Sequence, residues 1–293
     1  MANRLPPIQE LCKAAEKGDA AAVRAILKEN PKINIDAQAS MGMTPLVLAV
    51  MSKDVETVKV LLESGAKPDQ PTGLSQTPLL IAAAGNQIAI ARLLLDKGAG
   101  ADKTDATGSR PLDVAVDGGM LDMMRLLLKH KSDIEWRDDF DLTALLRAVQ
   151  GGQIGAMQVL KEHGANLNNG DAAGNTPLMY AIRSGSPKLF DAMIDLGADI
   201  NKGNKLFTTP LIAAAECGNT YAAAGLIARG APLQAADGAG RTARQHASIN
   251  GRKDIVGLID AETSRLVHLQ VEADMEKGSA VRPMKKLAFR KRI

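Results

Sequence analysis

The chain repeats itself every 33 residues. A threonine, or a residue standing in its place, occurs at positions 44, 77, 110, 143, 176, 209 and 242, and it is usually followed by Pro-Leu and then by alanines. A fixed period of this length indicates small supersecondary units, each of which buries its apolar face only by stacking on its neighbours. The function of such a chain has to be sought on the surface of a stack.

Residues 42–66 show what one unit is predicted to fold into. Gly42 permits a tight turn, Thr44 offers a hydroxyl that caps a helix, and Pro45 suits the first helical position. A second apolar run at helical spacing follows, and Gly65 ends it. About a dozen residues then join one helix pair to the next, a length that fits a hairpin-like finger. Each unit is therefore predicted to be two antiparallel helices and a finger.

Composition favours helices over sheets. Aromatic residues make up 2% of the 293 residues, while AVILMFWYC residues make up 45%. A core of Ala, Leu, Ile, Val and Met suits close helix packing, so we expect an all-α fold. No stretch of about 18 apolar residues and no secretion signal is visible, which predicts a cytoplasmic chain. Cys12 and Cys217 lie far apart without metal-ligand spacing, so neither a disulfide nor a structural zinc site is expected.

The repeating motif resembles that of ankyrin-repeat proteins. The family pattern is roughly D-x-x-G-x-T-P-L-H-x-A-A followed by L-L-x-x-G-A-D-x-N, and it is matched by residues 171–181 (DAAGNTPLMYA) and 195–201 (DLGADIN). The resemblance extends over roughly residues 8–262. It implies an all-α solenoid of ankyrin-type repeats, with an N-terminal capping helix pair followed by seven repeats.

The same resemblance predicts the organisation of the chain. We expect one repeat domain over residues 1–262, a C-terminal helix over 263–277 and a basic, flexible tail over 278–293. The tail has six basic residues and no acidic one, so it is a candidate for binding an anionic membrane or a nucleic acid. A solvated terminus without such a role is the alternative. The basic residues are Arg282, Lys285, Lys286, Arg290, Lys291 and Arg292.

Departures from the motif concentrate in the middle of the array. The histidine that follows Pro-Leu in the family is absent throughout. Arg110 and Ala144 replace the capping threonine and the first proline, and Lys131 occupies a glycine position. Because sequence rules tend to fail at functional or strained sites, residues 105–143 are a candidate functional region, with simple drift as the alternative.

No catalytic arrangement is visible in the sequence. A Gly-rich phosphate loop, a Ser-His-Asp order and a GxSxG motif are all absent. His130 and His163 lie one period apart, which is far for a shared metal. The acidic run 138–141 is interpreted as turn chemistry at a finger tip. We therefore predict no enzymatic activity, no metal and no cofactor.

A protein-binding surface is the remaining prediction. In ankyrin-like stacks the fingers and the exposed side of the first helices form a concave face, and here its positions are unusually apolar. Exposed methionines with an aromatic anchor are typical of protein interfaces. The predicted protein-binding residues are Met41, Met43, Met51, Leu74, Trp136, Asp139, Phe140, Leu142, Arg183, Lys205 and Leu206. The alternative is that finger residues such as Met43 and Leu142 pack sideways on neighbouring fingers.

The function predicted from these features is that of an interaction module or adaptor for a partner protein. Two alternatives stay open. One is a regulatory or inhibitory subunit of an enzyme, and the other is an array tethered to an anionic membrane or a nucleic acid through its basic tail.

Overall fold

The computed structural model of the chain describes residues 6–280. Within this range the structure contains sixteen α-helices, one 3₁₀ turn at Ser40–Gly42 and no strand, which confirms the all-α expectation. The six basic residues of the predicted tail lie outside the described residues. The tail therefore stays a prediction from sequence.

The helices follow one another in pairs, a first helix and then a second. The first helices are α1 (Pro7–Glu16), α3 (Pro45–Ser52), α5 (Pro78–Ala84), α7 (Pro111–Asp117), α9 (Ala144–Gln150), α11 (Pro177–Arg183), α13 (Pro210–Cys217) and α15 (Ala243–Ile249). The second helices are α2 (Ala20–Glu29), α4 (Val55–Glu63), α6 (Ile88–Asp96), α8 (Leu121–Lys129), α10 (Ile154–Glu162), α12 (Pro187–Asp195), α14 (Thr220–Ala228) and α16 (Lys253–Ala280).

The chain divides into two compact units, Met1–Asp199 and Ile200–Ile293. In the first unit α1, α3, α5, α7, α9 and α11 pack side by side in one row, and α2, α4, α6, α8 and α10 pack in a second row. In the second unit α14 and α15 both pack against α13, and α16 packs against α14 and α15.

A threonine cap starts most of the first helices. Thr44 Oγ accepts the backbone N–H of Val47 at 3.2 Å, and Thr77 Oγ accepts that of Leu80 at 3.2 Å. The same bond recurs at 143, 176, 209 and 242. Such a cap contributes about 1 kcal/mol because it satisfies a backbone donor that the helix leaves unpaired. The repeated threonine of the sequence is thus the N-cap residue of the helix that follows it.

Each connector folds into a finger that one backbone hydrogen bond closes. The N–H of Ala39 donates to the carbonyl of Met43 at 2.7 Å, and the same bond recurs one period apart along the chain. In the fourth finger Asp138 Oδ1 also accepts the N–H groups of Phe140 and Leu142, both at 2.8 Å. Within the acidic run 138–141, Asp138 therefore serves turn chemistry, as expected.

A ladder of side-chain oxygens joins each repeat of the first unit to the next. Asp36 Oδ1 accepts the backbone N–H of Lys67, 31 residues further on, at 2.9 Å, and Asp69 Oδ1 accepts that of Gly100 at 2.9 Å. The same bond continues from Asp102, Glu135 and Asn168. Because every bond spans the same 31 residues, the ladder sets the register between repeats.

The last helix is longer than the sequence pattern suggests. Its first turns are buried at Ile255 and Ile259, where α16 packs on the preceding helices. The helix then continues without a break to Ala280, so the expected boundaries after residues 262 and 277 both fall inside it.

The fingers need one residue in the left-handed region at their tips. Glycine supplies it in several repeats, for example Gly174 with φ of 80°, but Phe207 occupies the equivalent place with φ of 59°. Left-handed backbone costs an ordinary residue about 1–2 kcal/mol because its Cβ crowds the following carbonyl oxygen.

We expect Phe207→Gly to raise the free energy of unfolding by about 1 kcal/mol because it removes this strain. Chemical denaturation followed by circular dichroism measures the change. Phe207→Ala is the matched control, since alanine removes the ring and keeps the strain. Equal midpoints for the glycine and alanine variants would contradict the explanation.

Candidate functional site

Four of the predicted binding residues meet in one apolar groove between the first two fingers. Met41, Met43, Met51 and Leu74 line a cavity of about 410 Å³ together with neighbouring residues of the second finger and α5. We call it the methionine groove. Its remaining lining residues are Thr72, Gly73, Gln76 and Ile81, so none of the lining side chains is ionisable.

Backbone contacts hold the two fingertips that form the groove side by side. The N–H of Gly73 donates to the carbonyl of Met41 at 2.9 Å. Gly42 lies so close that a Cβ on it would stand 2.5 Å from the nitrogen of Gly73. Thr72 Oγ accepts the N–H of Leu74 at 3.2 Å and shapes the second finger. The groove is therefore built on fixed backbone, while its walls are adaptable methionine side chains.

The fingertips place large apolar side chains at one register position. Met41, Leu74 and Phe140 are 73%, 68% and 79% exposed, and they lie at multiples of 33 residues from one another. We call them, with Thr107 between Leu74 and Phe140, the tip row of the first unit. The tips are neighbours, because the N–H of Ala106 donates to the carbonyl of Leu74 at 3.4 Å.

In the second unit the same register position is Leu206, which is 68% exposed. Phe207 beside it is 67% exposed and was missed by the sequence analysis. The sequence does contain a signal for Phe207, because this residue occupies a repeat position that is glycine in four of the seven repeats. A bulky residue with positive φ is a backbone outlier, and such outliers occur most often at functional sites.

The strongest departure from the motif, Arg110, is a buried structural residue. Its guanidinium is fully buried and donates from Nε and Nη2 to the carboxylate of Asp113, both at 3.0 Å. Nη1 donates to Asp102 Oδ1 at 3.1 Å and to the carbonyl of Asp133 at 2.8 Å. The backbone N–H of Arg110 donates to Asp113 as well, at 3.3 Å. The Arg110–Asp113 pair thus stands where other repeats have a threonine cap.

Trp136, predicted as a binding anchor, is one wall of this buried site. The guanidinium carbon of Arg110 lies 5.3 Å from the centre of the indole ring, a cation–π distance. Trp136 is still 39% exposed. Part of its surface therefore stabilises Arg110, and the rest lies at the protein surface.

Carboxylates gather around the third and fourth fingers. We call Asp105, Asp117, Asp138, Asp139 and Asp141 the acidic patch. Asp139 lies on the tip of the fourth finger, and its Oδ2 stands 2.9 Å from the place that a Cβ on Gly108 would occupy. The patch therefore continues the line of fingers that begins at the methionine groove.

Two arginines neutralise only part of the acidic patch. Arg147 Nη1 donates to Asp117 at 3.0 Å and its Nη2 donates to Asp138 at 2.6 Å, while Arg137 pairs with Asp141 at 3.1 Å. Five carboxylates against two guanidinium groups leave an excess of negative charge. Burial raises the pKa of Asp117, and repulsion from Asp113 and Asp138 adds to it, although the guanidinium of Arg147 opposes both.

The other predicted residues are more scattered. Met43 and Leu142 are half-buried, and sideways packing of their side chains on neighbouring fingers stays a prediction. Arg183, at the end of α11, and Lys205, in the second unit, are exposed. Residues 6–280 contain no group of three or more His, Cys, Asp or Glu side chains able to hold a metal ion. In the same range no helix is long and apolar enough to cross a membrane.

Comparison with known proteins agrees with this architecture. A family model described as "Ankyrin repeats (3 copies)" matches residues 9–72, 64–138 and 130–204, which together cover more than half of the chain. The chain belongs to the ankyrin-repeat family. Ankyrin repeats generally mediate protein–protein interactions, and the fold is typically not enzymatic.

The ankyrin fold is also found in a similar solved structure. It is the crystal structure of an ankyrin repeat domain from Acinetobacter baumannii AYE at 1.00 Å resolution. The sequence identity is 28% and the TM-score is 0.60, over 64% of this chain and 98% of that one. That likeness confirms an ankyrin-repeat solenoid.

The buried pair of this ankyrin array can be tested by replacing it stepwise. Asp113→Leu alone leaves the buried guanidinium of Arg110 without its main partner, so we expect a loss of about 3–5 kcal/mol in the free energy of unfolding. Arg110→Thr combined with Asp113→Leu restores the threonine cap of the other repeats and should recover most of that loss. Urea denaturation measures both.

Asp139→Asn is the control for removing a carboxylate from the same region, and we expect its effect to stay within about 0.5 kcal/mol because the side chain is exposed. Equal urea midpoints for the single and the double variant would show that the pair is not the source of the effect.

A second hydrogen-bonded pair predicts how stability depends on pH. The hydroxyl of Tyr180 donates to Asp171 Oδ2 at 2.7 Å. Burial, and then this carboxylate, raise the pKa of Tyr180 to about 12. Because the pKa is higher in the folded chain, the stabilisation is complete below the ordinary pKa of about 10 and is lost as the pH rises towards 12.

Tyr180→Phe should therefore cost about 1 kcal/mol at pH 8, and the difference from the unchanged protein should shrink above about pH 10. Urea midpoints of the variant and the unchanged protein, taken at pH 8 and at one pH above about 10, measure this difference. Tyr221→Phe, on α14, is the control for a general effect of removing a tyrosine hydroxyl. A difference that stays constant between the two pH values would contradict the assignment.

Proposed function

We propose that this ankyrin array is an adaptor that holds a partner protein on the methionine groove and the tip row. The observation that supports it most directly is the exposure of Met41, Leu74 and Phe140 at a single register position. Large apolar side chains rarely gather on the surface of a soluble protein unless a partner covers them. The rigid backbone beneath the groove keeps the entropic cost of binding low.

The chemistry of the methionine groove specifies what it would accept. Its walls carry no charge, and its methionine side chains are flexible and polarisable, so they adapt to aliphatic or aromatic partner residues. Burying one such residue of the partner contributes about 1.5–3 kcal/mol. The groove is thus proposed as the place where an apolar anchor of the partner is inserted.

The remaining predicted residues belong to the same proposal as flanking contacts. Asp139 and Phe140 on the fourth finger, and the exposed edge of Trp136, would extend the contact along the fingers. Leu206 and Phe207 are proposed as a separate apolar contact in the second unit, where the strained backbone of Phe207 is explained by a binding role.

The proposal is tested by removing two exposed apolar tips. We expect Met41→Ser combined with Leu74→Ser to reduce capture of the partner from the native cell at least about tenfold, because two apolar contacts are lost. Quantitative mass spectrometry of the captured proteins measures this. Both side chains are more than two-thirds exposed, so the free energy of unfolding should change by less than about 1 kcal/mol.

Ile249→Ser is the matched control. Ile249 is 66% exposed on α15, in the second unit, and it is a lining residue of neither the groove nor the tip row. We expect the control to capture the same proteins as the unchanged chain. If the double variant also captures them in equal amounts, the groove is not the binding site.

A further inference from the structure

The face that carries the methionine groove changes from apolar to acidic along the first unit. Residues 38–52 and 71–84, which hold the first two fingers and their first helices, contain no ionisable side chain. The five carboxylates of the acidic patch belong to the third and fourth repeats, where Arg137 and Arg147 pair with three of them. A ligand that matches this face therefore needs an apolar side chain at one end and positive charge further along.

The change in polarity is visible at one register position, near the C-terminal end of each first helix. Met51, Ala84 and Asp117 succeed one another there at intervals of 33 residues, and all three are exposed. Two repeats after Asp117, the exposed residue at this position is Arg183. Apolar, acidic and basic side chains thus follow one another along one face, so a charged ligand has a preferred direction on the array.

Two carboxylates of the acidic patch show that it can take up further positive charge. Burial raises the pKa of Asp117, and nearby carboxylates add to the effect, although the guanidinium of Arg147 lies only 3.0 Å away. At Asp105 burial acts in the same direction, but hydrogen bonds from Thr107 outweigh it and lower the pKa, so this carboxylate is kept ionised. A lysine or arginine brought to the patch would be stabilised by both carboxylates.

The methionine groove and the acidic patch are joined through the third finger. The N–H of Ala106 donates to the carbonyl of Leu74 at 3.4 Å, and a Cβ on Gly108 would stand 2.9 Å from Asp139 Oδ2. The groove lies between the first two fingers and the patch on the third and fourth repeats, so their centres are two repeats apart. At about 8–10 Å per repeat this distance is about 16–20 Å. An extended chain covers it with about five or six residues.

We propose that the partner protein presents an extended segment in which a large apolar side chain is separated by about five or six residues from a lysine or arginine. The apolar side chain enters the methionine groove, and the basic side chain lies on the acidic patch. The inference rests on the proposed function, because it specifies the chemistry of the partner that the groove holds. A segment with acidic residues at the same spacing is rejected, since like charges repel across an interface.

The test selects ligands for the full chain without knowledge of the partner. The chain is immobilised, and a phage-displayed library of random peptides of about 12 residues, long enough to span groove and patch when extended, is selected on it at low salt. We expect the enriched peptides to carry more positive charge than the unselected library. They should also contain a large apolar residue and a lysine or arginine about five or six positions apart.

Two variants then locate one enriched peptide on the surface. The peptide is made synthetically with a fluorescein label, and fluorescence anisotropy follows its binding. Asp117→Asn with Asp139→Asn, and separately Met41→Ser with Leu74→Ser, should each weaken binding at least about fivefold, which corresponds to the loss of one or two contacts. Binding to the unchanged chain should weaken at least about tenfold between about 50 mM and about 500 mM salt, because charge pairs near the surface are screened.

Matched controls remove the same chemistry elsewhere on the chain. Asp122→Asn lies on α8, where the side chain is 85% exposed, and Ile249→Ser lies on α15. Both controls should bind the peptide as tightly as the unchanged chain.

Three results would overturn the inference. They are no enrichment of any peptide, enriched peptides without an excess of positive charge, and equal binding of the labelled peptide by the finger variants and the controls. A partner whose capture from the native cell needs Met41 and Leu74 but ignores Asp117→Asn with Asp139→Asn would also overturn it and leave the proposed function intact. Failure of the proposed function is recognised separately, as partner capture that ignores Met41 and Leu74 while the peptide still needs both.

Discussion

The hydrogen-bonded ladder between consecutive repeats is the constraint on which the first unit depends. A carboxylate or amide oxygen in each connector accepts a backbone N–H 31 residues later, so every helix pair is held at the same offset from the one before it. By the same spacing the next donor would be residue 232, in the second unit. That residue is a proline, which has no N–H to donate. The threonine caps start each helix, but the ladder decides how neighbouring helix pairs meet.

The binding surface is a consequence of this constant offset. Because each finger repeats the geometry of the one before it, side chains 33 residues apart come to lie beside one another. Met41, Leu74 and Phe140 form a row for this reason, and the methionine groove is the gap between two members of that row. Charge follows the same geometry, since Asp105, Asp138 and Asp139 lie in the third and fourth fingers, whereas residues 38–52 and 71–84 contain no ionisable side chain.

Much of the fold and part of the site could be predicted from the sequence. The cap at Thr44 and the finger turn at Asp138 depend on residues within four positions of each other, and such local signals are visible in the order of residues. Arg110 was different. Its departure from the motif was visible, but its meaning depends on Asp102 and Trp136, which only folding brings to it. The departure at Arg110 was interpreted as part of a functional region, whereas the structure shows that Arg110 forms a buried ion pair with Asp113.

The period of 33 residues, by itself, determined the fold and the positions that lie on the fingers, because periodic burial of small apolar residues leaves a chain few ways to fold. Only the tertiary structure decided which of those positions act together. The methionine groove exists because the N–H of Gly73 in the second finger donates to the carbonyl of Met41 in the first finger. This contact brings together Met41, Met43, Met51 and Leu74, and no local sequence pattern encodes it. Local hydrogen bonds depend on residues that are close in sequence, so the sequence predicts them, whereas the binding surface depends on contacts between residues a full repeat apart.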